Sequence, residues 1–148
     1  MKAIILALLA PCFLFACKSE PTVSTPEAVV AKFNELYPGA SDVTWEREDS
    51  LYEASFKSDT TAKSVAFFAD GTIHVMETDI SAALLPQLIK DYIAQQAAGK
   101  TIDGATMIIF ADGVTQYEAE VGDQDYLFDA AGQFVSVEVE ESPSEKNE

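Results

Sequence analysis

Histidine occurs once in the 148 residues, tryptophan once and cysteine twice. A single histidine, His74, leaves no Ser-His-Asp or Cys-His arrangement to draw, and no His/Cys cluster has the spacing that zinc needs. Gly-rich phosphate loops are missing too; Asp70-Gly71 and Asp112-Gly113 read as hairpin turns. Basic residues are scarce, nine against 25 acidic ones, for a formal charge of −16. Such a surface repels phosphate backbones, so nucleic acid is not an expected partner, and it disfavours electrostatic docking on anionic lipid. No catalytic residue, cofactor or metal ligand is therefore expected. The stretch "EVGDQD" offers Glu120, Asp123 and Asp125, but it lacks the ligand pattern of a dedicated calcium loop. Apolar residues are not in short supply: at 48% they suffice for a packed core.

The chain opens with "MKAIILALLAPCFLFA", one lysine followed by an apolar run. Residues 1–16 read as a secretory signal peptide, too short to span a bilayer comfortably. The run ends in Leu14-Phe15-Ala16-Cys17, which resembles the bacterial lipobox, with Phe15 bulkier than usual. That resemblance implies lipidation of Cys17 as the first mature residue, and attachment to a membrane through that anchor alone. Cleavage there removes Cys12, so no intrachain disulfide can form. It also removes Lys2, which leaves eight basic and 25 acidic residues and a charge of −17. Residues 17–25 are polar, with Pro21 among them and Pro26 just after, and read as a tether. Residues 141–148 read as a disordered tail.

The tripeptide Tyr-Glu-Ala occurs twice, at Tyr52-Glu53-Ala54 and Tyr117-Glu118-Ala119. Gly39 to Phe56 lies over Gly104 to Val121 without a gap, with five identities, Val43 over Ile108 and Trp45 over Phe110. Further on, "VAFFADGTIHV" matches "YLFDAAGQFVSV" at an offset four residues smaller, which places an extra exposed loop, "KSDTTAKS", in the first copy. The chain is thus a duplicated unit of roughly 55–60 residues, with residues 26–80 and 81–140 as the two repeats. Each opens with a helix. Thr25 is placed to cap the first and Pro26 to start it, with Val29, Val30, Phe33, Leu36 and Tyr37 as its apolar stripe. Pro86 opens the second, with Leu88, Ile89, Tyr92 and Ile93.

Strands follow each helix. A two-residue Asp112-Gly113 turn of type I′ sets Phe110 opposite Thr115 and Ile108 opposite Tyr117. Alternation then puts Ile108, Phe110, Tyr117, Ala119 and Val121 on the helix-covered face. Met107, Ile109, Gln116, Glu118 and Glu120 fall on the open one. Carried to the first repeat, the same pattern covers Val43, Trp45, Tyr52, Ala54 and Phe56. It leaves Thr44, Glu46, Leu51, Glu53 and Ser55 open.

The helix ending in "YPGA", the tryptophan strand, "YEASF", the "FFADGTI" hairpin and the "LPQLIKDYI" helix together resemble the PepSY-like proteins. These are β-lactamase-inhibitor-like proteins of the DUF2874 type, frequent among secreted Bacteroidetes lipoproteins. The resemblance runs from Pro26 to Glu140, with "QQAAGK" replacing the usual second helix end. It implies an α+β fold of two tandem helix-plus-antiparallel-meander repeats. These would form one curved, BLIP-like sheet of about eight strands with the helices on one face. It also implies that the other face serves for binding, as it does in the proteinaceous β-lactamase inhibitor.

These readings point to a non-catalytic envelope lipoprotein, monomeric, in the periplasm or at the cell surface, on the outer membrane. It would bind a protein or peptide through an open face made of Glu46, Leu51, Glu53, Met107, Ile109, Glu118 and Glu120. Apolar side chains on an exposed sheet face mark interfaces. Inhibition of a secreted enzyme is the sharpest form of this expectation. The alternative is an envelope-structural or folding-assistance protein with no single partner.

Overall fold

A computed structural model describes residues 23–97 and 99–139. The signal peptide, Cys17, most of the tether and the tail lie outside those residues. The described chain forms α1 (Glu27–Leu36), β1 (Ser41–Glu48), β2 (Leu51–Ser58), β3 (Thr61–Phe68) and β4 (Ile73–Asp79). A 3₁₀ turn (Ala82–Leu84) leads to α2 (Gln87–Gln96), β5 (Gly104–Phe110), β6 (Thr115–Val121), β7 (Gln124–Asp129) and β8 (Phe134–Val139). The eight strands make one antiparallel sheet in chain order.

Both helices pack on the same face of that sheet. Val29 and Phe33 of α1 meet Ala54, Phe56, Val65 and Phe67, with Trp45 and Tyr52 at the margin. Ile89 and Ile93 of α2 meet Ala105, Ala119, Val121, Tyr126 and Phe128. Cross-strand pairing leads from the first core toward the second, from Val65 through Met76 to Ile109. The stripes are narrower than the spacing predicts: Leu36 and Leu88 are exposed, Leu88 by 60%. Thr25 caps nothing; Pro26 and Pro86 occupy the N-cap positions without a side-chain bond.

The repeat shows in fine detail. The turns after β3 and β7 each close with a backbone bond from a glycine N–H, Gly71 to Phe68 and Gly132 to Asp129. Gly71 sits at φ +85, and a Cβ there would come within 2.8 Å of the Ala28 carbonyl oxygen in α1. A side chain is thus excluded by both conformation and space. β4 and β8 each carry a bulge just after this turn, at His74 and Val135. "KSDTTAKS" is no loop. Lys57 pairs with Ala62 and Ser58 with Thr61, so the first copy has longer strands around a two-residue turn.

One register differs from expectation, and it moves a whole strand. Asp112-Gly113 is not a two-residue turn: Phe110 N–H donates to Val114 O, Gly113 N–H donates to Phe110 O, and Gly113 sits at φ +87. The loop is Ala111-Asp112-Gly113, a type I turn closed by a left-handed glycine. The Asp112 carboxylate reinforces it by accepting from Val114 N–H. The added residue sets Met107 opposite Tyr117 and Ile109 opposite Thr115. A one-residue slip reverses every side chain on the strand. Met107 and Ile109 therefore lie on the helix side, and Ile108 and Phe110 on the open side. Ile109 lines a shallow groove beside α1 with Ile73 and Met76. In β1 the expected faces hold from Thr44 to Glu46, but a bulge after Ser41 leaves Val43 exposed.

Candidate functional site

The face opposite the helices has a hydrophobic centre of its own. Leu51 (β2), Ala66 (β3), Val75 (β4) and Ile108 (β5) form a cluster, with Phe110 and Leu127 packed against it. Ladder pairing aligns them in rows: Glu53 beside Ala66, Ala66 beside Val75, Val75 beside Phe110. At the turn end, His74 stands edge-on to Phe68 (5.2 Å between ring centres) and to Phe110 (6.3 Å). Phe68 remains 42% exposed. An aromatic rim thus borders a buried aliphatic cluster.

The next row holds the acidic centre. Ser64 pairs with Glu77, and Glu77 pairs with Ile108. Glu77 is 8% exposed, the one charged residue among the buried ones described. Its Oε2 accepts from the Ser64 hydroxyl at 3.2 Å. Its Oε1 is buried with no hydrogen-bond partner among the described residues. Burial first, then the charge of Glu53, with lesser help from Glu118 and Asp79, pushes its carboxyl up to about 8 against the lowering effect of the Ser64 hydrogen bond. Burial also raises Glu53, opposed by its bond to Ser64 and helped by Glu46 and Glu48. Asp79 is raised by burial as well. The centre of the face therefore holds a carboxyl that burial, helped by neighbouring acids, keeps protonated at neutral pH.

Of the residues expected here, Glu46 and Glu53 are cross-strand neighbours on the open face, and Leu51 is in its apolar centre. Glu118 pairs with Leu127, and Glu120 with Asp125, on the same face. Met107 and Ile109 do not belong to it, because of the β5 register. Ile108, Phe110, Val75 and Glu77 take their place. Val75 and Glu77 had a visible signal, since alternation in "IHVMETD" puts both on one side. Asp123 lies in the β6–β7 turn, 3.8 Å from the Lys100 ammonium. Among the described residues no group of three His, Cys, Asp or Glu converges as a metal ligand set would.

Solved structures share this architecture. A Bacteroides uniformis protein of the DUF2874 family superposes with a TM-score of 0.69 at 22% identity, over 77% of this chain and 88% of that one. A BLIP-like protein of Bacteroides fragilis gives 0.62 at 20% identity, over 77% and 86%. The fold is the BLIP-like one. A Bacteroides eggerthii protein described as a candidate periplasmic one gives 0.70 at 20% identity, over 78% and 88%. No family model and no curated protein matches the sequence. The expected α+β fold, eight antiparallel strands with both helices on one face, is thus met by the BLIP-like architecture. No helix among the described residues is long and apolar enough to cross a membrane.

Proposed function

We propose that the chain is a non-catalytic envelope lipoprotein that binds a protein or peptide partner across the open face of its sheet. One observation carries this reading: an apolar cluster with an aromatic rim sits on the side of the sheet that neither helix covers. The four central side chains are already buried, so a partner gains by covering the partly buried Phe110 and Leu127 and the exposed Phe68, at roughly 25 cal/mol per Å². The surrounding glutamates would govern encounter rate and partner choice. Fold kinship with proteins described as BLIP-like and as periplasmic candidates fits such a role.

Phe68→Asp combined with Phe110→Asp tests the face. Both positions lie at its rim, outside the helix-covered core, so circular dichroism should stay native. Crosslinking in envelope extract should capture one stoichiometric partner with the wild-type chain and lose it with the folded variant. Equal capture by both would remove this face from consideration. A spread of unfolded clients would instead favour the folding-assistance role.

The anchor is tested separately. Cys17→Ser should move the protein from the membrane fraction to the soluble one, since a doubly acylated chain is held firmly and an unlipidated one is not. Unchanged fractionation would reject lipidation.

A further inference from the structure

We propose that the open face contains a receptor for a single cationic side chain, a lysine ammonium or arginine guanidinium carried by the partner, with Glu77 Oε1 as its acceptor. The inference rests on the open face being the binding surface, and adds the chemistry of what it takes.

Glu77 has the features of a site awaiting a donor. One carboxyl oxygen is satisfied by Ser64 at 3.2 Å, and the other is buried without a partner among the described residues. Buried polar atoms are nearly always bonded, so an orphan one at the centre of an uncovered face calls for an external donor. The choice of donor follows from the neighbours. Glu53 on β2, Asp79 on β4 and Glu118 on β6 all act on Glu77 as negative charges. β3 contributes the neutral Ser64, and β5 the neutral Ile108 beside it. Among the described residues the ion pairs Lys32–Glu35, Lys57–Asp42 and Lys100–Asp123 involve neither Glu77 nor Glu53. An anionic or carbonyl ligand would be repelled by this field, whereas a cation is drawn to it.

The flanks suit the stem of such a side chain. Ala66, Val75 and Ile108 form a buried aliphatic cluster next to Glu77, with the partly buried Phe110 and Leu127 packed against it. A lysine or arginine can lay its methylenes against Phe110 or Leu127 and bring its charged end toward the carboxyl. Binding would ionise Glu77, and its proton would go to solvent. Affinity should therefore rise with pH until the carboxyl is fully ionised.

The probe is n-butylammonium, added at constant ionic strength to the whole chain with carboxyl-labelled glutamate and followed by NMR. With the free carboxyl titrating at about 8, ionised Glu77 grows roughly tenfold from pH 7 to pH 9, and the apparent affinity should grow with it. Saturating amine should lower the Glu77 midpoint, while 1-butanol should not. Glu77→Gln should abolish the pH dependence, and Ser64→Ala should keep it. Two results would overturn the site: an amine effect matched by sodium chloride or 1-butanol, or unchanged amine binding in Glu77→Gln. Loss of partner capture in the Phe68/Phe110 variant with no amine effect at Glu77 would keep the face and discard the receptor. An amine effect with no partner on the face would do the reverse.

Discussion

Replacing Phe128 with alanine should destabilise the protein by about 3–5 kcal/mol, the range for emptying a buried aromatic site. Its ring is fully buried, edge-on to Tyr92 at 5.5 Å and against Phe134 at 6.1 Å. Neighbours gathered from α2, β6 and β8 cannot all collapse into the space left. Phe67 holds the same place in the first repeat, fully buried and 6.5 Å from Trp45, and Phe67→Ala should cost a similar amount. Tyr52 and Tyr117 should cost less, because both are half-buried at the edges of their clusters. Urea unfolding followed by tryptophan fluorescence and by circular dichroism measures each loss. Trp45 reports only on the first repeat, so it also shows whether Phe128→Ala is felt across the β4–β5 ladder. Losses below about 1 kcal/mol at both phenylalanines would mean that neither ring anchors its core.

The second large effect belongs to pH. Glu77 keeps its proton to about pH 8 in the folded chain, whereas the unfolded chain releases it near the ordinary value of 4.5. Between those limits the folded state binds more protons, so stability falls as pH rises. The favourable contribution is complete below about 4.5 and gone above about 8. Its size is roughly 3–5 kcal/mol, since each tenfold change in proton affinity is worth about 1.4 kcal/mol. Glu53 and Asp79 are shifted the same way and steepen the fall. Glu77→Gln is neutral at every pH and can still accept from Ser64. It should therefore flatten the curve and leave the variant more stable than wild type at pH 9. Denaturant midpoints at pH 5, 7 and 9 for both chains decide it; parallel curves would show that Glu77 is not the group responsible.

Most of the fold was legible because duplication gave every feature a second witness. The paired Tyr-Glu-Ala, the paired aromatic hairpins and the paired proline-led helices could be read against each other; β6 and β7 fall where that comparison puts them, and β2 and β3 run on through the expected loop. The register of β5 was lost by the same comparison. Trp45 faces Ala54 and Ala105 faces Ala119, so the second hairpin holds five more residues than the first. An ungapped match across an odd difference reverses the strand. Asp-Gly could not warn of this, since it suits both a two-residue turn and the longer loop ended by a left-handed glycine. The face of Glu77 could be read from alternation, but its burial could not. Its ladder partners, Ser64 on one neighbouring strand and Ile108 on the other, are fixed only by the strand register.

The order of the strands also bears on how the chain reaches its native state. Six of the seven ladders join strands linked by a tight turn and can zip locally. The β4–β5 ladder alone must close over the length of α2, from Asp79 to Gly104. Loop-closure entropy grows with the chain enclosed, and non-local pairing slows folding. Each half can therefore assemble as its own hairpin stack, and their joining is the slowest search. A chain caught before that step presents the edges of β4 and β5 unpaired, and two such chains could join each other's halves instead of their own.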